Sequence, residues 1–241
     1  MLGVIPAAGA GTRIQPLAFS KELLPVGSRC EGGTEHPRAV SEYIVERMIA
    51  AGATRICFVI APGKFDILQY YGAGVGVADI CYVVQPKPSG LCDALFRALP
   101  WVDADESIVV GLPDTIWLPT DGLRALPERG LSFLLFPVER PELFDTVLTD
   151  TDERVLEIQV KRDGAGGSWV WGAFKLDGGI LRELYALWQE RECRDVYVGT
   201  LINAYLARGG QARGVRAGTD YIDVGTLHGY REATALLGTH E

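Results

Sequence analysis

The sequence has few of the residues that build metal centres and disulfide frameworks. Its 241 residues include three histidines and five widely spaced cysteines, with no Cys-x-x-Cys pair: Cys30, Cys57, Cys81, Cys92 and Cys193. An odd number of scattered cysteines indicates free thiols in a reducing, cytoplasmic compartment, and so few histidines argue against a zinc site. The apolar runs are shorter than the about 18 residues of a membrane-spanning helix, and the N-terminus lacks the positive charge of a signal peptide. We therefore expect a cytoplasmic protein with no membrane partner.

The chain also lacks the excess of positive charge that binding to nucleic acid requires. Lys and Arg number 23 against 31 Asp and Glu, which gives a formal net charge of −8. This balance argues against broad binding to nucleic acid or anionic membranes, so any phosphate must be bound locally. Hydrophobic residues at 48% and charged residues at 22% are typical of a globular protein. The length favours a single domain over 1–241.

Short apolar runs alternate with segments of helical period along most of the chain. This alternation predicts an α/β fold, a Rossmann-like three-layer α/β/α arrangement around a mixed, mostly parallel sheet. The predicted strands of the main sheet are 2–5, 55–60, 80–84, 107–112 and 131–138. Between 139 and 177, short strands separated by tight turns predict a small β-hairpin sub-lobe inserted in the domain. Residues 28–37 are expected to form a mobile loop.

A glycine-containing turn, Gly9-Ala10-Gly11-Thr12-Arg13, follows the first predicted strand directly. Glycines let backbone N–H groups approach a phosphate, and the adjacent arginine adds the charge of an anion site. A dinucleotide-binding turn would need a further glycine where Ile14 stands, and no Gly-Lys-Ser/Thr sequence of a Walker loop is present. The remaining alternative is an ordinary tight turn between a strand and a helix.

The longer N-terminal stretch carries a family resemblance. It comprises Ile5 to Arg13 (IPAAGAGTR), Pro16-Leu17 and Ser20 to Val26 (SKELLPV). This stretch resembles the opening of the nucleotide-sugar pyrophosphorylases, in particular the glucose-1-phosphate thymidylyltransferases and uridylyltransferases. The resemblance implies that Ala8, Gly9, Gly11 and Thr12 wrap a nucleoside triphosphate, while Arg13 and Lys21 contact its phosphates.

A second segment extends the resemblance. Gln85-Pro86, Gly90-Leu91 and Ala94 are similar to the family's Q-P-x-x-x-G-L-x-x-A segment. By resemblance, Gln85 reads the edge of the pyrimidine and Gly90 backs the base, which favours dTTP or UTP. A glutamine amide can pair with the donor and acceptor of a uracil or thymine face. The alternative is a polar residue that merely ends a strand.

Asp114 and Asp223 resemble the two acidic positions that hold Mg²⁺ in this family, and Asp114 thereby also belongs to the nucleotide site. Each could instead be an ordinary turn or helix-cap residue. The charge of a triphosphate favours a bound metal. One charge pair at about 4 Å is worth only roughly 1 to 4 kcal/mol at dielectric constants between water and a protein surface, so Arg13 and Lys21 alone cannot neutralise a triphosphate. Mg²⁺ commonly takes one or two carboxylates. Both aspartates are expected at the carboxyl edge of the sheet.

Lys161 resembles the lysine that grips the phosphate of the attacking sugar 1-phosphate, although a solvated strand lysine is the alternative. Val160 stands where family members that bind glucose 1-phosphate often have a glutamate, and Asp145-Thr146 occupies a position where a glycine is common. Trp171 and Gly172 are candidates for a wall of the sugar pocket, with a core tryptophan as the alternative.

These residues together predict an enzyme, a Mg²⁺-dependent nucleotidyltransferase that condenses a sugar 1-phosphate with dTTP or UTP and releases pyrophosphate. Its catalytic residues would be Arg13, Lys21, Asp114, Lys161 and Asp223. Two alternatives stay open: a cytidylyltransferase acting on a non-sugar phosphate, and a nucleotide-binding regulatory module without turnover. The sequence leaves the sugar and the oligomeric state undefined, and an oligomer is possible.

Overall fold

The computed structural model describes residues 1–162, 164 and 166–238, so residues 239–241 of the predicted domain lie outside the described part. The strands are β1 (Leu2–Pro6), β2 (Pro25–Glu31), β3 (Thr34–Ala39), β4 (Arg55–Ile60), β5 (Gly74–Val75), β6 (Ala78–Val84), β7 (Ser107–Gly111), β8 (Thr115–Leu118), β9 (Leu131–Pro137), β10 (Thr146–Thr149), β11 (Val155–Gln159), β12 (Trp169–Asp177), β13 (Ala212–Val215) and β14 (Asp220–Asp223). The helices are α1 (Val40–Ala50), α2 (Phe65–Tyr71), α3 (Leu91–Arg97), α4 (Gly178–Glu190), α5 (Val198–Ala207) and α6 (Leu227–Gly238), with short 3₁₀ turns at Lys21–Leu23, Leu99–Trp101, Gly122–Ala125 and Pro141–Leu143. None of the described helices has the length and apolarity that crossing a bilayer requires.

Parallel strands form the centre of the main sheet. Strand β1 pairs with β4 on one side and with β7 on the other, and β4 pairs with β6. Because alternate side chains of a strand point to opposite faces, Leu2 and Val4 pack with α3, α4 and α5, whereas Ile5 packs with α1 and α2. Helices therefore cover both faces, which confirms the predicted three-layer α/β fold.

Strand β12 makes the sheet mixed. It runs antiparallel to β7, with Phe174 opposite Val110, and antiparallel to β9 and β10. Strand β11 extends the sheet beyond β10, and β13 pairs with β9 in parallel. The antiparallel strands predicted between 139 and 177 are present, and they are hydrogen-bonded into the same sheet as β1.

Two smaller sheets lie outside the main one. Strands β8 and β14 form an antiparallel pair in which Asp223 lies opposite Thr115. Strands β2 and β3 form a hairpin over most of residues 28–37, so the prediction of a loop there is wrong. Its side chains are polar and largely exposed, and it therefore lacks the apolar alternation by which a strand is read from sequence. A third apolar cluster, which includes Val26, Ile116 and Val224, joins these elements to α6.

Candidate active site

The glycine turn and Asp114 lie at the same edge of the main sheet. Residues 7–13 follow the carboxyl end of β1, and Asp114 follows the carboxyl end of β7. Because β1 and β7 are parallel neighbours, their carboxyl ends lie side by side. This is the edge at which open α/β sheets bind ligands.

The pairing of β8 with β14 brings Asp223 to Asp114. The backbone N–H of Val224 donates to the carbonyl oxygen of Asp114 at 2.8 Å, and the N–H of Gly225 donates to Asp223 Oδ1 at 2.8 Å. A Cβ atom added to Gly225 would lie 2.8 Å from Asp223 Oδ1, 2.9 Å from Asp114 Oδ2 and 3.2 Å from Arg13 Nη2. Two carboxylates and a guanidinium therefore converge on one point, which must be free of a side chain.

Each carboxylate is paired with a cation from the N-terminal segment. Arg13 Nη1 lies 2.8 Å from Asp223 Oδ2, and Lys21 Nζ donates to Asp114 Oδ2. Burial alone would lower the pKa of Lys21, but the Asp114 carboxylate outweighs burial and raises that pKa above its ordinary value. Asp223 does the same for Arg13. The four predicted residues thus form two adjacent ion pairs, with both cations held protonated.

The glycine turn packs closely against the aliphatic part of the Lys21 side chain. Gly11 has φ +65°, and a Cβ at this residue would lie 2.8 Å from Lys21 Cδ. Both the left-handed backbone and the close approach require glycine at this position. Ala8 is buried beneath the turn, whereas Gly9 and Thr12 are exposed on its outer side. Open space surrounds Gly9, so its backbone is accessible to a ligand.

A buried ion pair that the sequence did not reveal supports this turn. Glu22 is fully buried, and Lys64 Nζ donates to its two carboxylate oxygens at 2.7 and 2.8 Å and to the carbonyl of Ala7 at 2.6 Å. Burial raises the pKa of Glu22 and lowers the pKa of Lys64, while their mutual attraction opposes both shifts. Lys64 thereby ties the start of the glycine turn to the residue next to Lys21. No local pattern marks a lysine as buried, so only the fold identifies it.

The predicted base-binding residues lie where β6 leads into α3. Gln85 is 3% exposed, and its Nε2 donates to the carbonyl of Gly90 at 3.0 Å. Gly90 has φ +95°, and a Cβ there would lie 2.6 Å from Val196 Cγ1 and 2.7 Å from the Val196 carbonyl oxygen. Glycine is therefore needed for the close packing of residue 90 against the segment that precedes α5.

The predicted acceptor residue Lys161 lies in a turn after β11. It has φ +41°, and its Nζ lies 5.2 Å from the centroid of the Tyr197 ring. Asp145 is close enough for the lysine to influence it: burial raises the pKa of Asp145, and the charge of Lys161 opposes that rise. Tyr221 connects this region with the two carboxylates. Its ring lies 5.6 Å from that of Phe144, next to Asp145, and burial together with the charges of Asp223, Asp114 and Asp145 raises the pKa of its phenol.

Trp171 and Gly172, the other two acceptor candidates, differ in their surroundings. Trp171 is 6% exposed and packs edge-on against Phe133 and Phe174, at centroid distances of 6.4 and 5.7 Å, so its ring belongs to the core. A Cβ on Gly172 would lie 2.8 Å from Tyr221 Cε2. The absence of a side chain at Gly172 thus lets the Tyr221 ring lie against the backbone of β12.

The carboxylates of Asp114 and Asp223, which meet beside Gly225, fit a magnesium ion. Within residues 1–162, 164 and 166–238, no group of three or more His, Cys, Asp and Glu side chains is arranged to hold a metal. Mg²⁺ does not need such a cage, since it is commonly bound by one or two carboxylates and completes its octahedron with water and substrate phosphate. Asp114 and Asp223 supply two carboxylates at the point where a Cβ atom on Gly225 would touch both.

Comparison with known proteins identifies the family. A family model described as nucleotidyl transferase matches residues 2–239. The chain belongs to the nucleotidyl transferase family. This confirms the family predicted from the motifs and, with it, the prediction of a nucleotidyl-transferring enzyme. This nucleotidyl transferase is 26% identical over 252 residues to a glucose-1-phosphate thymidylyltransferase of Neisseria meningitidis serogroup A, with 99% of this chain and 83% of that protein covered.

Solved structures show the same fold. A Bacillus anthracis protein described as a glucose-1-phosphate thymidylyltransferase, in complex with sucrose, superposes on this nucleotidyl transferase with a TM-score of 0.82 and 25% identity, over 98% of this chain and 95% of that one. The UTP-bound UGPase of Acinetobacter baumannii has a TM-score of 0.79 and 20% identity, over 100% of this chain and 94% of that one. Both likenesses extend over nearly the whole of each chain.

Proposed function

We propose that this protein transfers a nucleotidyl group from dTTP or UTP to a sugar 1-phosphate. A phosphate oxygen of the sugar 1-phosphate attacks the α-phosphorus of the nucleotide, the bond from that phosphorus to the bridging oxygen breaks, and pyrophosphate leaves with that oxygen. The observation that carries the proposal is the convergence of Arg13, Asp114 and Asp223 at Gly225, beside the glycine turn. The named relatives, thymidylyltransferases and a UTP-bound UGPase, support a pyrimidine nucleotide.

Asp114 and Asp223 would hold Mg²⁺, which when bound neutralises part of the triphosphate charge. Their ion pairs with Lys21 and Arg13 give the two cations a second role. The pairs hold both cations protonated beside the carboxylates, where they would also bind the phosphates of the nucleotide. Arg13 would stabilise charge that develops on the departing pyrophosphate, and Lys21 would align the triphosphate.

Lys161 would bind the phosphate of the sugar 1-phosphate. It is exposed, its Nζ lies 5.2 Å from the centroid of the Tyr197 ring, and its charge acts on the partly buried carboxyl group of Asp145. Gly172 would contribute by letting the Tyr221 ring lie against the backbone of β12, and Trp171 by packing against Phe133 and Phe174 in the core next to it. Catalysis then consists mainly of positioning and of charge stabilisation, without a covalent enzyme intermediate.

A panel assay tests the proposal. Pyrophosphate release is measured with dTTP, UTP, CTP, ATP and GTP, each against glucose 1-phosphate, other sugar 1-phosphates and a non-sugar phosphate, in the presence of Mg²⁺. We expect release with dTTP or UTP and a sugar 1-phosphate, and loss of release when EDTA is added. Turnover confined to CTP and a non-sugar phosphate, or binding of dTTP without any pyrophosphate, would contradict the proposal.

A further inference from the structure

The amide of Gln85 is held in one orientation by its neighbours. Its Nε2 donates to the carbonyl of Gly90 at 3.0 Å and to Asp93 Oδ2 at 2.8 Å. A backbone carbonyl and a carboxylate are both acceptors, so each of them requires the NH₂ end of the amide and excludes its oxygen. Both amide hydrogens are therefore engaged inside the protein, and the orientation follows from the chemistry of the two partners.

Asp93 is itself fixed on α3. It is buried, and it accepts from Arg97 Nη2 at 2.9 Å through Oδ1 and from Arg97 Nε at 3.4 Å through Oδ2. The two residues are one helical turn apart, so the geometry is set by the helix. A carboxylate that is paired with an arginine in this way offers only acceptor oxygens to its other neighbours. Arg97, Asp93 and Gln85 thus form a chain of hydrogen bonds that ends at the Gln85 amide.

This orientation decides what Gln85 can offer to a base. The amide atom that remains for a ligand is Oε1, an acceptor. Uracil and thymine carry a hydrogen on N3, which such an acceptor can bind, whereas cytosine has a lone pair on N3 and would meet a second lone pair. Turning the amide to suit cytosine would break its bonds to Gly90 and Asp93. Discrimination therefore arises from a bond gained with one base and a repulsion with the other.

We propose that Asp93, held by Arg97, is a positioning residue that makes this enzyme select uracil and thymine nucleotides over cytosine nucleotides. The inference rests on the proposed function and on the role at the pyrimidine edge that the family resemblance gives to Gln85. It adds a residue outside the sequence motif: nothing in the local pattern of α3 distinguishes Asp93 from an exposed helix residue, and only the contact with Gln85 shows its role.

The test is the ratio of kcat/KM for UTP to kcat/KM for CTP, with the same sugar 1-phosphate, in the wild type and in Asp93→Asn. Asparagine keeps the shape of the side chain, but its NH₂ group can donate to Gln85 Oε1. Only the Gly90 carbonyl then still favours the wild-type orientation, so turning the Gln85 amide to present its NH₂ to cytosine costs less than in the wild type. We expect the UTP/CTP ratio to fall at least about tenfold, the value of one well-formed hydrogen bond. A general loss of packing would lower both kcat/KM values and leave their ratio unchanged.

Asp177→Asn is the matched control. Asp177 is also a carboxylate that accepts from an arginine, Arg129 at 3.3 Å, and from a second donor, the N–H of Gly130 at 2.8 Å. It ends β12 opposite Ser107, at the start of β7, whereas the candidate site lies where β7 ends. We expect its UTP/CTP ratio to equal that of the wild type. Arg97→Gln, at a side chain that is 41% exposed, gives a second variant in case Asp93→Asn does not fold. Its ratio should shift in the same direction by a smaller factor.

The outcomes separate the two proposals. If the wild type releases no pyrophosphate from any nucleotide with any sugar 1-phosphate, the proposed function fails. If the wild type is active and prefers UTP or dTTP, but Asp93→Asn and Arg97→Gln keep the wild-type ratio, the role of Asp93 is overturned and the function stands. A wild type that uses UTP and CTP equally well would also overturn the role of Asp93.

Discussion

Arg13 and Asp223 are 210 positions apart in the chain, yet Arg13 Nη1 lies 2.8 Å from Asp223 Oδ2. The pair connects the glycine turn after the first strand to the end of β14. Together with the pair between Lys21 and Asp114, it assembles four of the predicted site residues at one edge of the sheet. The predictions below test what this arrangement and its supports contribute.

The first prediction concerns the two carboxylates. Asp114→Asn and Asp223→Asn should each lower kcat by roughly 100-fold or more, because each removes a negative charge that would hold the metal, and the metal would stabilise the charge on the nucleotidyl group in transfer. The measurement is pyrophosphate release at saturating Mg²⁺. Asp220→Asn is the control: this aspartate is also on β14 but is exposed, with the hydroxyl of Thr219 donating to it at 2.8 Å. Near-normal rates for Asp114→Asn would refute the role given to that residue.

The second prediction concerns the absence of a side chain at Gly225. In Gly225→Ala the new Cβ would lie within 2.9 Å of carboxylate oxygens of both Asp114 and Asp223, so the carboxylates must move apart. We expect the Mg²⁺ concentration for half-maximal activity to rise about tenfold or more, as for other changes beside metal ligands. Gly179→Ala, whose nearest neighbour would be 3.8 Å away, should leave the Mg²⁺ dependence unchanged. An unaltered dependence in Gly225→Ala would mean that the metal lies elsewhere.

The third prediction concerns the buried pair of Glu22 and Lys64. Lys64→Met should lower the free energy of unfolding by about 3–5 kcal/mol, because it leaves the Glu22 carboxylate buried without a partner. Urea denaturation measures the change. Arg208→Met breaks an ion pair with Glu190 in which both side chains are 58% exposed, and it should cost at most about 1 kcal/mol. Equal costs for the two substitutions would show that burial of the Glu22–Lys64 pair has no energetic consequence.

The fourth prediction concerns two cysteines on adjacent parallel strands. Cys57 on β4 lies opposite Cys81 on β6, and a hydrogen bond from the buried Cys57 thiol, with a further contribution from Arg55, lowers the pKa of the exposed Cys81 to about 7. The thiolate is the reactive form, so alkylation of Cys81 by iodoacetamide should reach half its maximal rate near pH 7, below the about 8.5 of a free cysteine.

Mass spectrometry across a pH series measures this profile for each cysteine separately. In Cys57→Ala the hydrogen bond is lost, and the midpoint for Cys81 should move upward toward the ordinary value. Cys57, which is fully buried, should remain unlabelled in the folded protein. A midpoint for Cys81 that does not respond to Cys57→Ala would assign the shift to Arg55 instead.

Sequence reasoning recovered the main sheet because its strands are buried on both faces and appear as continuous apolar runs. Strands β4 and β7 are examples. Strands β8 and β14 were not predicted, since four residues such as Thr115 to Leu118 carry no usable period and their pairing partner is remote in the chain. The hairpin of β2 and β3 was missed because its exposed, polar residues resemble a loop.

Some residues of the candidate site could likewise be predicted from the sequence, and others could not. Arg13, Lys21, Asp114 and Asp223 were found because they belong to recognisable motifs, and the structure brings them together. Lys64 and Asp93 were not, because their importance lies in a contact with a residue of another element, Glu22 in one case and Gln85 in the other. The charge of a side chain is visible in the sequence, whereas its burial and its partner are properties of the fold.

The pairing of β8 with β14 also sets when the two carboxylates can meet during protein synthesis. Asp114 is made early, but its counterpart Asp223 reaches it through a strand that begins at Asp220. A ribosome-bound chain that has not yet emerged beyond this strand has only the Asp114 carboxylate to offer at the sheet edge. The two-carboxylate centre is therefore completed only after residue 223 has left the exit tunnel.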